Sequence, residues 1–290
     1  LAAPDKILES NLFVMAEDGT VQHPEHSTLK VEEYDDFIAA PYDFICEKLL
    51  PRWFDALKDA TPFQTAKVLI KYVLAKNELG AQAGAVQGQM IEKYGYAPLS
   101  YGGGTLAPFD CLADHLRSFS EIVKDTRRYP DKVLAACDAL TPLMVKKGIS
   151  PRSNRYFRTF IPLHMAPYLS PKQFDKFYAP SYTALLKGLS EGGAGVKMFV
   201  EGDWMPHIDY LADCTDRTEM QFEFGDPALS KKKVGENHII SGFYPLTMLQ
   251  TASKQECTDK AKELLDILMP GGGYIFNLDK SIFTAKGSIL

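Results

Sequence analysis

Gly192-Gly-Ala-Gly-Val-Lys-Met-Phe-Val-Glu-Gly-Asp-Trp204 is the stretch whose reading decides the fold. A glycine-rich turn leads into Val196, Met198 and Val200 on alternate positions, and the apolar run breaks at Glu201, Gly202 and Asp203. This is the pattern of a short buried strand that ends in acid. In an α/β barrel the reactive groups stand at the carboxyl ends of the strands, on the loops entering the following helices. Two readings of Glu201 and Asp203 stay open: they carry chemistry there, or they cap the helix that begins near Met205.

Downstream the order is regular. Strand Val196–Val200, helix Met205–Ala212, strand Glu219–Phe224, a short helix at Pro227–Lys231, strand His238–Ser241, helix Lys254–Met269 and strand Tyr274–Leu278 alternate without exception. Short connections in such an order mean parallel strands joined by crossovers. Upstream, Arg155–Pro162 reads as a strand, and Ser170-Pro171 caps a helix over Lys172–Leu189. Pro108–Ser120 and Pro130–Lys147 read as helices, and Pro62 opens a long one reaching about Lys93. Gly80, Gly84 and Gly88 fall on one side of that helix, where close packing against another backbone is expected. Gly102-Gly103-Gly104 reads as a flexible loop. Near the start, Asn11–Glu17 and Ser27–Val31 read as extended pieces around an Asp18-Gly19 turn, and Pro41 splits Glu32–Leu50 into two short helices. No linker-like composition interrupts the chain, and residues 1–290 read as one domain.

If the strands are parallel, their carboxyl ends bring together His164; Glu201, Asp203 and Trp204; Glu223, Gly225 and Asp226; Phe243 and Tyr244; and Asp279 and Lys280. Carboxylates crowded in a cleft have raised pKa values unless paired, and Lys280 is a natural partner. Such a set suits acid–base chemistry or recognition of a polar ligand. Each member also has a structural use. His164 lies beside an apolar run and suits a packed core position equally well; His207 reads as solvated; Asp226 before Pro227 reads as a helix cap; and Lys231-Lys232-Lys233 reads as a solvated loop. His23 and His26 lack a third ligand close in sequence.

The composition, 46% hydrophobic and 24% charged over 290 residues, is that of a globular chain. A formal net charge of −5 argues against nucleic-acid or anionic-membrane partners held by general electrostatics. No run approaches the roughly 18 apolar residues of a membrane span, and no secretory signal is seen, so a cytoplasmic protein is expected. Cys46, Cys111, Cys137, Cys214 and Cys257 are odd in number and scattered, as suits reduced thiols. Cys46 and Cys137 fall on apolar helical faces and are expected to be packed.

Three stretches resemble the uroporphyrinogen decarboxylase superfamily, which holds the haem-pathway decarboxylases and the barrel methyltransferases that serve corrinoid proteins and thiols. Asp114-His115-Leu116-Arg117, followed by Lys124-Asp125, Pro130 and the helix Lys132–Leu140, is similar to the segment where Asp and Arg precede a Pro-capped helix. Gly195–Gly202 is similar to the methyltransferase strand that carries a His-x-Cys-Gly zinc motif, and Gly273–Leu278 to the final strand. Tyr34–Arg52 also resembles the methyltransferase-like branch. The resemblance implies an α/β TIM-type (β/α)8 barrel; the first residue is Leu, and the first part of the barrel is expected to lie outside this sequence. Where the methyltransferases place His, Cys and a last Cys, this chain has Phe199, Glu201 and Lys280, so a zinc thiolate cannot be built from those positions. An ion pair between Glu201 and Lys280 is expected in its place.

The resemblance implies transfer of a methyl group from a small methylated donor to a corrinoid carried by a partner protein, with no tightly bound cofactor. Glu201 or Asp203, assisted by His164, would protonate the leaving oxygen or nitrogen, with Lys280 beside them. Trp204, Phe243 and Tyr244 would wall the pocket, and Glu223 and Asp279 would contact the substrate. Glu201 and His164 stand as metal candidates, and a homodimer is implied. Two alternatives remain: decarboxylation of a porphyrinogen, for which the cleft is acidic, and a barrel that binds a small ligand without turning it over.

Overall fold

The computed structural model describes residues 6–15, 21–22, 24–95, 101–215 and 217–281. The chain, read above as one domain, gathers into two compact units: Leu1–Ser100 with Asp114–Lys124, and Tyr101–Ala113 with Asp125–Leu290.

The first unit is mainly helical. Two strands of two residues, β1 (Val14–Met15) and β2 (Val21–Gln22), pair antiparallel, and the Asp18-Gly19 turn lies outside the described residues. Ser27–Val31 is not a strand. The buried Arg117 guanidinium donates to the Leu29 carbonyl and the Ser27 hydroxyl and lies over the Tyr34 ring, while Thr28 and Leu29 N–H groups donate to the Leu116 carbonyl. Backbone groups held this way need no sheet partner. Pro41 does divide the following helices, Tyr34–Ala39 and Pro41–Phe44. Arg52 grips Glu33 through both guanidinium nitrogens at 2.7 Å, and this hydrogen-bonded pairing holds the Glu33 carboxyl down at about 2.

The longest helix, α1 (Pro62–Tyr94), starts at a Thr61–Gln64 capping box and stops at Gly95, whose φ of 62° is left-handed. A Cβ on Gly80, Gly84 or Gly88 would meet nothing within 4 Å, so the close backbone packing expected there is not made. Cys46 is exposed, in contrast to the packed position expected; Cys137 is buried as expected.

The second unit is built on six parallel strands in sequential order. They are β3 (Tyr101–Gly104), β4 (Arg158–Leu163), β5 (Val196–Val200), β6 (Glu219–Phe222), β7 (Ile239–Tyr244) and β8 (Tyr274–Leu278). Helices α2 (Pro130–Gly148), α3 (Ala179–Glu191), α4 (Ile208–Ala212), α5 (Pro227–Lys233) and α6 (Lys254–Leu268) supply the crossovers. The α/β class and the parallel order agree with a TIM-type plan, but six strands are described rather than the eight expected, and β3 and β8 are the outer strands among the described residues. No helix among the described residues is long and apolar enough to cross a membrane.

One side of the sheet packs on helices: the Tyr182 hydroxyl of α3 reaches the Met198 sulfur, and Thr159 donates to the Gly148 carbonyl of α2. The alternate residues face the other way. At the amino ends of three strands, Glu219 binds Lys197 at 2.7 Å and Arg158 at 3.4 Å, and all three side chains are largely buried. A buried acid between two bases marks the end of the sheet remote from the acid-ended loops.

Gly102-Gly103-Gly104 belongs to β3 rather than to a flexible loop. A Cβ on Gly102 would run into the Phe157 carbonyl and one on Gly103 into the Gly148 carbonyl, so these glycines admit neighbouring backbone. Gly103→Ala should therefore destabilise the chain by about 1–3 kcal/mol, the usual cost of overpacking, read as a lowered urea midpoint; an unchanged midpoint would contradict this packing.

Candidate active site

The carboxyl ends of β4, β5, β6 and β8 bring their acids and bases together as parallel order demands. Glu223 follows β6 directly and is the hub. Its Oε1 accepts the Lys280 ammonium at 2.6 Å, and its Oε2 accepts the Gly202 N–H at 2.9 Å. One carboxylate thus ties the loop after β5 to the segment after β8. Gly202 takes φ of 72°, and a Cβ there would meet the Pro167 ring at 2.9 Å, so only glycine presents its N–H in this turn without strain.

The expected Glu201–Lys280 pair is replaced by this arrangement. Lys280 hydrogen-bonds Glu223, and that bond, ahead of the charges of Asp279 and Glu201, raises its pKa. Glu201 instead lies with His164, Oε2 to Nε2, at 3.5 Å. The register explains the meeting: Leu163 of β4 stands beside Val200 of β5, so the next residue on each strand emerges side by side. Asp110, fully buried, accepts the N–H groups of His164 and Met165 and the Tyr178 hydroxyl, and so fixes the backbone that carries His164.

Asp203 accepts the Met205 N–H at 2.9 Å, a local contact two residues along ahead of a helical turn whose N-cap residue is Trp204, whereas Glu201 faces His164. Asp226 accepts the N–H groups of Ala228 and Leu229, the cap its sequence context suggested. Lys231, Lys232 and Lys233 close α5 instead of forming a loop; Lys231 donates to the Gly272 carbonyl and Lys233 to Asp209.

The three aromatic residues expected to wall the cleft are buried. Trp204 is fully enclosed by Phe174, Tyr178, Tyr182 and His207, with ring centroids 5.8–6.2 Å away. Tyr244 donates to the Cys257 carbonyl of α6, on the helix side of the sheet. Phe243 stacks on Phe222 at 4.9 Å with φ of 65°, a strained value for a side chain of that size, and Gly242 before it has φ of 89°. Asp279, also buried, accepts the Leu246 N–H and so anchors the loop after β7. His207, read as solvated, is buried and stacks on Phe174 at 4.1 Å. Burial is the main cause of its lowered pKa.

What does line the open cleft is Pro167, Tyr168, Gly202, Asp203, Met205, Phe224, Gly225 and Asp226, around about 640 Å³. Tyr168 is 67% and Phe224 52% exposed, and neither was singled out from the sequence. Phe224 lies one residue beyond Glu223, so its place at a strand end was open to reading; Tyr168 sits in a turn, Ala166–Tyr168, that carries no periodicity.

Glu201 and His164 are brought together, but no cluster of three His, Cys, Asp or Glu fit to hold a metal occurs among the described residues. With Phe199, Glu201 and Lys280 at the three motif positions, the donor set does not suit a zinc thiolate centre.

The sequence profile of the family described as uroporphyrinogen decarboxylase (URO-D) matches residues 62–285. The chain belongs to the URO-D family. Among solved structures, a methyltransferase from Methanosarcina mazei superposes with a TM-score of 0.54 at 16% identity, over 95% of this chain and 71% of that one. At that identity the likeness is one of fold. Comparison with curated proteins gave no match.

Two outcomes follow from these contacts. Glu223→Gln removes the largest cause of the raised Lys280 pKa, so a titration of Lys280 followed by NMR should move down toward the ordinary lysine value of about 10.4; an unmoved titration would contradict the pairing. Because the His207 pKa is lowered on folding, the unfolded chain binds the extra proton first as pH falls below about 6.5, and stability drops there. The contribution is fully present above that pH. His207→Gln should flatten this limb of a plot of Tm against pH.

Proposed function

We propose that this URO-D family member is an enzyme of the methyltransferase branch, on a TIM-type barrel plan, which takes a methyl group from a small methylated donor and passes it to a corrinoid brought by a partner protein. The corrinoid is a co-substrate in this reading and not a resident group. The observation that carries the proposal is the His164–Glu201 pair at 3.5 Å, held at the ends of neighbouring strands beside a cleft of about 640 Å³.

The chemistry asks little of the protein but a proton in the right place. As the bond from the methyl carbon to oxygen or nitrogen breaks, its electron pair stays on the heteroatom, and the methyl carbon accepts a new pair from the acceptor. The departing atom leaves easily only if it carries a proton. In this reading His164 and Glu201, 3.5 Å apart, would hold that proton between them and deliver it to the leaving atom. Lys280, engaged by Glu223, has its pKa raised by that hydrogen bond and stays charged. The acidic character of the strand ends disfavours the porphyrinogen reading, since a substrate with many carboxylates would meet Asp203 and Asp226 in the cleft and Glu201 and Glu223 next to it.

The test is incubation of the full chain with a reduced corrinoid carrier and a panel of O-methyl and N-methyl donors, following formation of the methylated corrinoid by its absorbance. Glu201→Gln should lower the rate by roughly 10²–10⁴-fold, the loss expected of a proton donor, with the fold intact by circular dichroism. Absence of signal with every donor, or full activity in the variant, would defeat the proposal.

A further inference from the structure

We infer that the cleft outside the ends of β4, β5 and β6 is a seat for a small organic cation, so that the donor in the reading above carries an ammonium group. The inference rests on that reading for the donor's role, but its physical basis is separate. The cleft combines two features rarely exposed together: flat apolar faces and carboxylates with no cation of their own. Tyr168 and Phe224 turn their rings to solvent, with Met205 and Pro167 between them. Asp203 and Asp226 stand at the same cleft and accept backbone N–H groups, and among the described residues neither forms an ion pair with a lysine or arginine. Ring faces attract ammonium groups through the negative potential above the π-system, and a thioether adds a polarizable wall.

The molecule already demonstrates the preference. The Lys280 ammonium sits 5.7 Å from the centre of the Phe224 ring while it hydrogen-bonds Glu223 at 2.6 Å. An aromatic face beside a carboxylate therefore holds an ammonium at this rim, and the adjoining opening, which Phe224 also lines, adds the Tyr168 ring and the carboxylates of Asp203 and Asp226. The space is also adequate: about 640 Å³ lies in the middle of the range of small-molecule sites, roughly 300–1,000 Å³. An anionic ligand would meet carboxylates on several sides. A neutral ether would gain the rings but nothing from Asp203 or Asp226.

A cationic donor brings the proton that its leaving nitrogen needs, so that His164 and Glu201 keep that proton in place rather than deliver it. A protonated N-methylamine arrives with its leaving nitrogen already charged. When the carbon–nitrogen bond breaks, the pair of electrons returns to nitrogen and a neutral amine departs, while the methyl carbon takes its new pair from the acceptor. The neighbouring carboxylates keep the proton on nitrogen until then, because negative charge nearby favours the charged form of an amine.

Binding tests this without any turnover. Choline is titrated into the full chain by isothermal calorimetry, alongside its neutral carbon isostere in which a tert-butyl group replaces the trimethylammonium. Choline should bind about tenfold or more tightly than the isostere; Asp203→Asn should weaken choline by a similar factor and leave the isostere little changed, and Phe224→Ala should weaken both, choline the more. Phe224 is half exposed, so its truncation leaves the fold intact, as circular dichroism would verify. Equal binding of the two probes, no binding of choline, or unchanged choline binding in both variants would overturn the inference. Choline binding without methyl transfer from any donor would leave the cation seat standing and remove the proposed reaction; transfer from neutral methoxylated donors alone would do the reverse.

Discussion

The Glu223 carboxylate is the interaction on which the arrangement at the strand ends depends. Its two oxygens hold groups from different parts of the chain, the Gly202 N–H and the Lys280 ammonium. A charge-assisted hydrogen bond of this kind is stronger and more directional than a neutral one. Since Gly202 joins Glu201 to Asp203, fixing its N–H also fixes where those two acids stand.

A second constraint comes from below. Phe174, Tyr178, Tyr182, Trp204 and His207 form a continuous buried aromatic cluster under the loop that carries Asp203. Burial of rings of this size is among the larger favourable contributions a short segment can make, and edge-to-face contacts such as that of Phe174 with Trp204 add direction to it. The loop after β5 is thus held from both ends, by aromatic packing at Trp204 and by the Glu223 hydrogen bond at Gly202. Asp110 does the same for β4, where a fully buried carboxylate accepts two backbone N–H groups and a tyrosine hydroxyl. The His164–Glu201 pair therefore rests on two loops with independent supports.

Much of the fold was legible because it is written in periodicity. Val196, Met198 and Val200 alternate, Phe174, Tyr178, Leu185 and Leu186 follow helical spacing, and Ser170 and Asp226 carry the side chains that cap helices. These are local properties, and local rules read them. The glycines were harder. Gly102 and Gly103 read as a flexible loop, yet they lie in a strand, because what makes them necessary is the approach of the Phe157 and Gly148 carbonyls from distant parts of the sequence. Gly80, Gly84 and Gly88 show the converse: a spacing that suits close packing, with no neighbouring backbone there to use it.

By itself the sequence determined the α/β class, the order of the strands and the set of residues at their carboxyl ends, since alternation, capping and the break at Glu201 depend only on neighbours along the chain. Tertiary structure alone decided which of those residues touch. It paired Lys280 with Glu223, set Glu201 against His164, turned Asp203 onto the Met205 N–H, buried Trp204, Phe243 and Tyr244, and left Tyr168 and Phe224 at the mouth of the cleft. The physical reason is that side-chain direction at the end of a strand follows from turns such as Gly202, with φ of 72°, and Gly242, with φ of 89°. One residue in a left-handed conformation reverses which face its neighbours present, and no pattern of hydrophobicity records that choice.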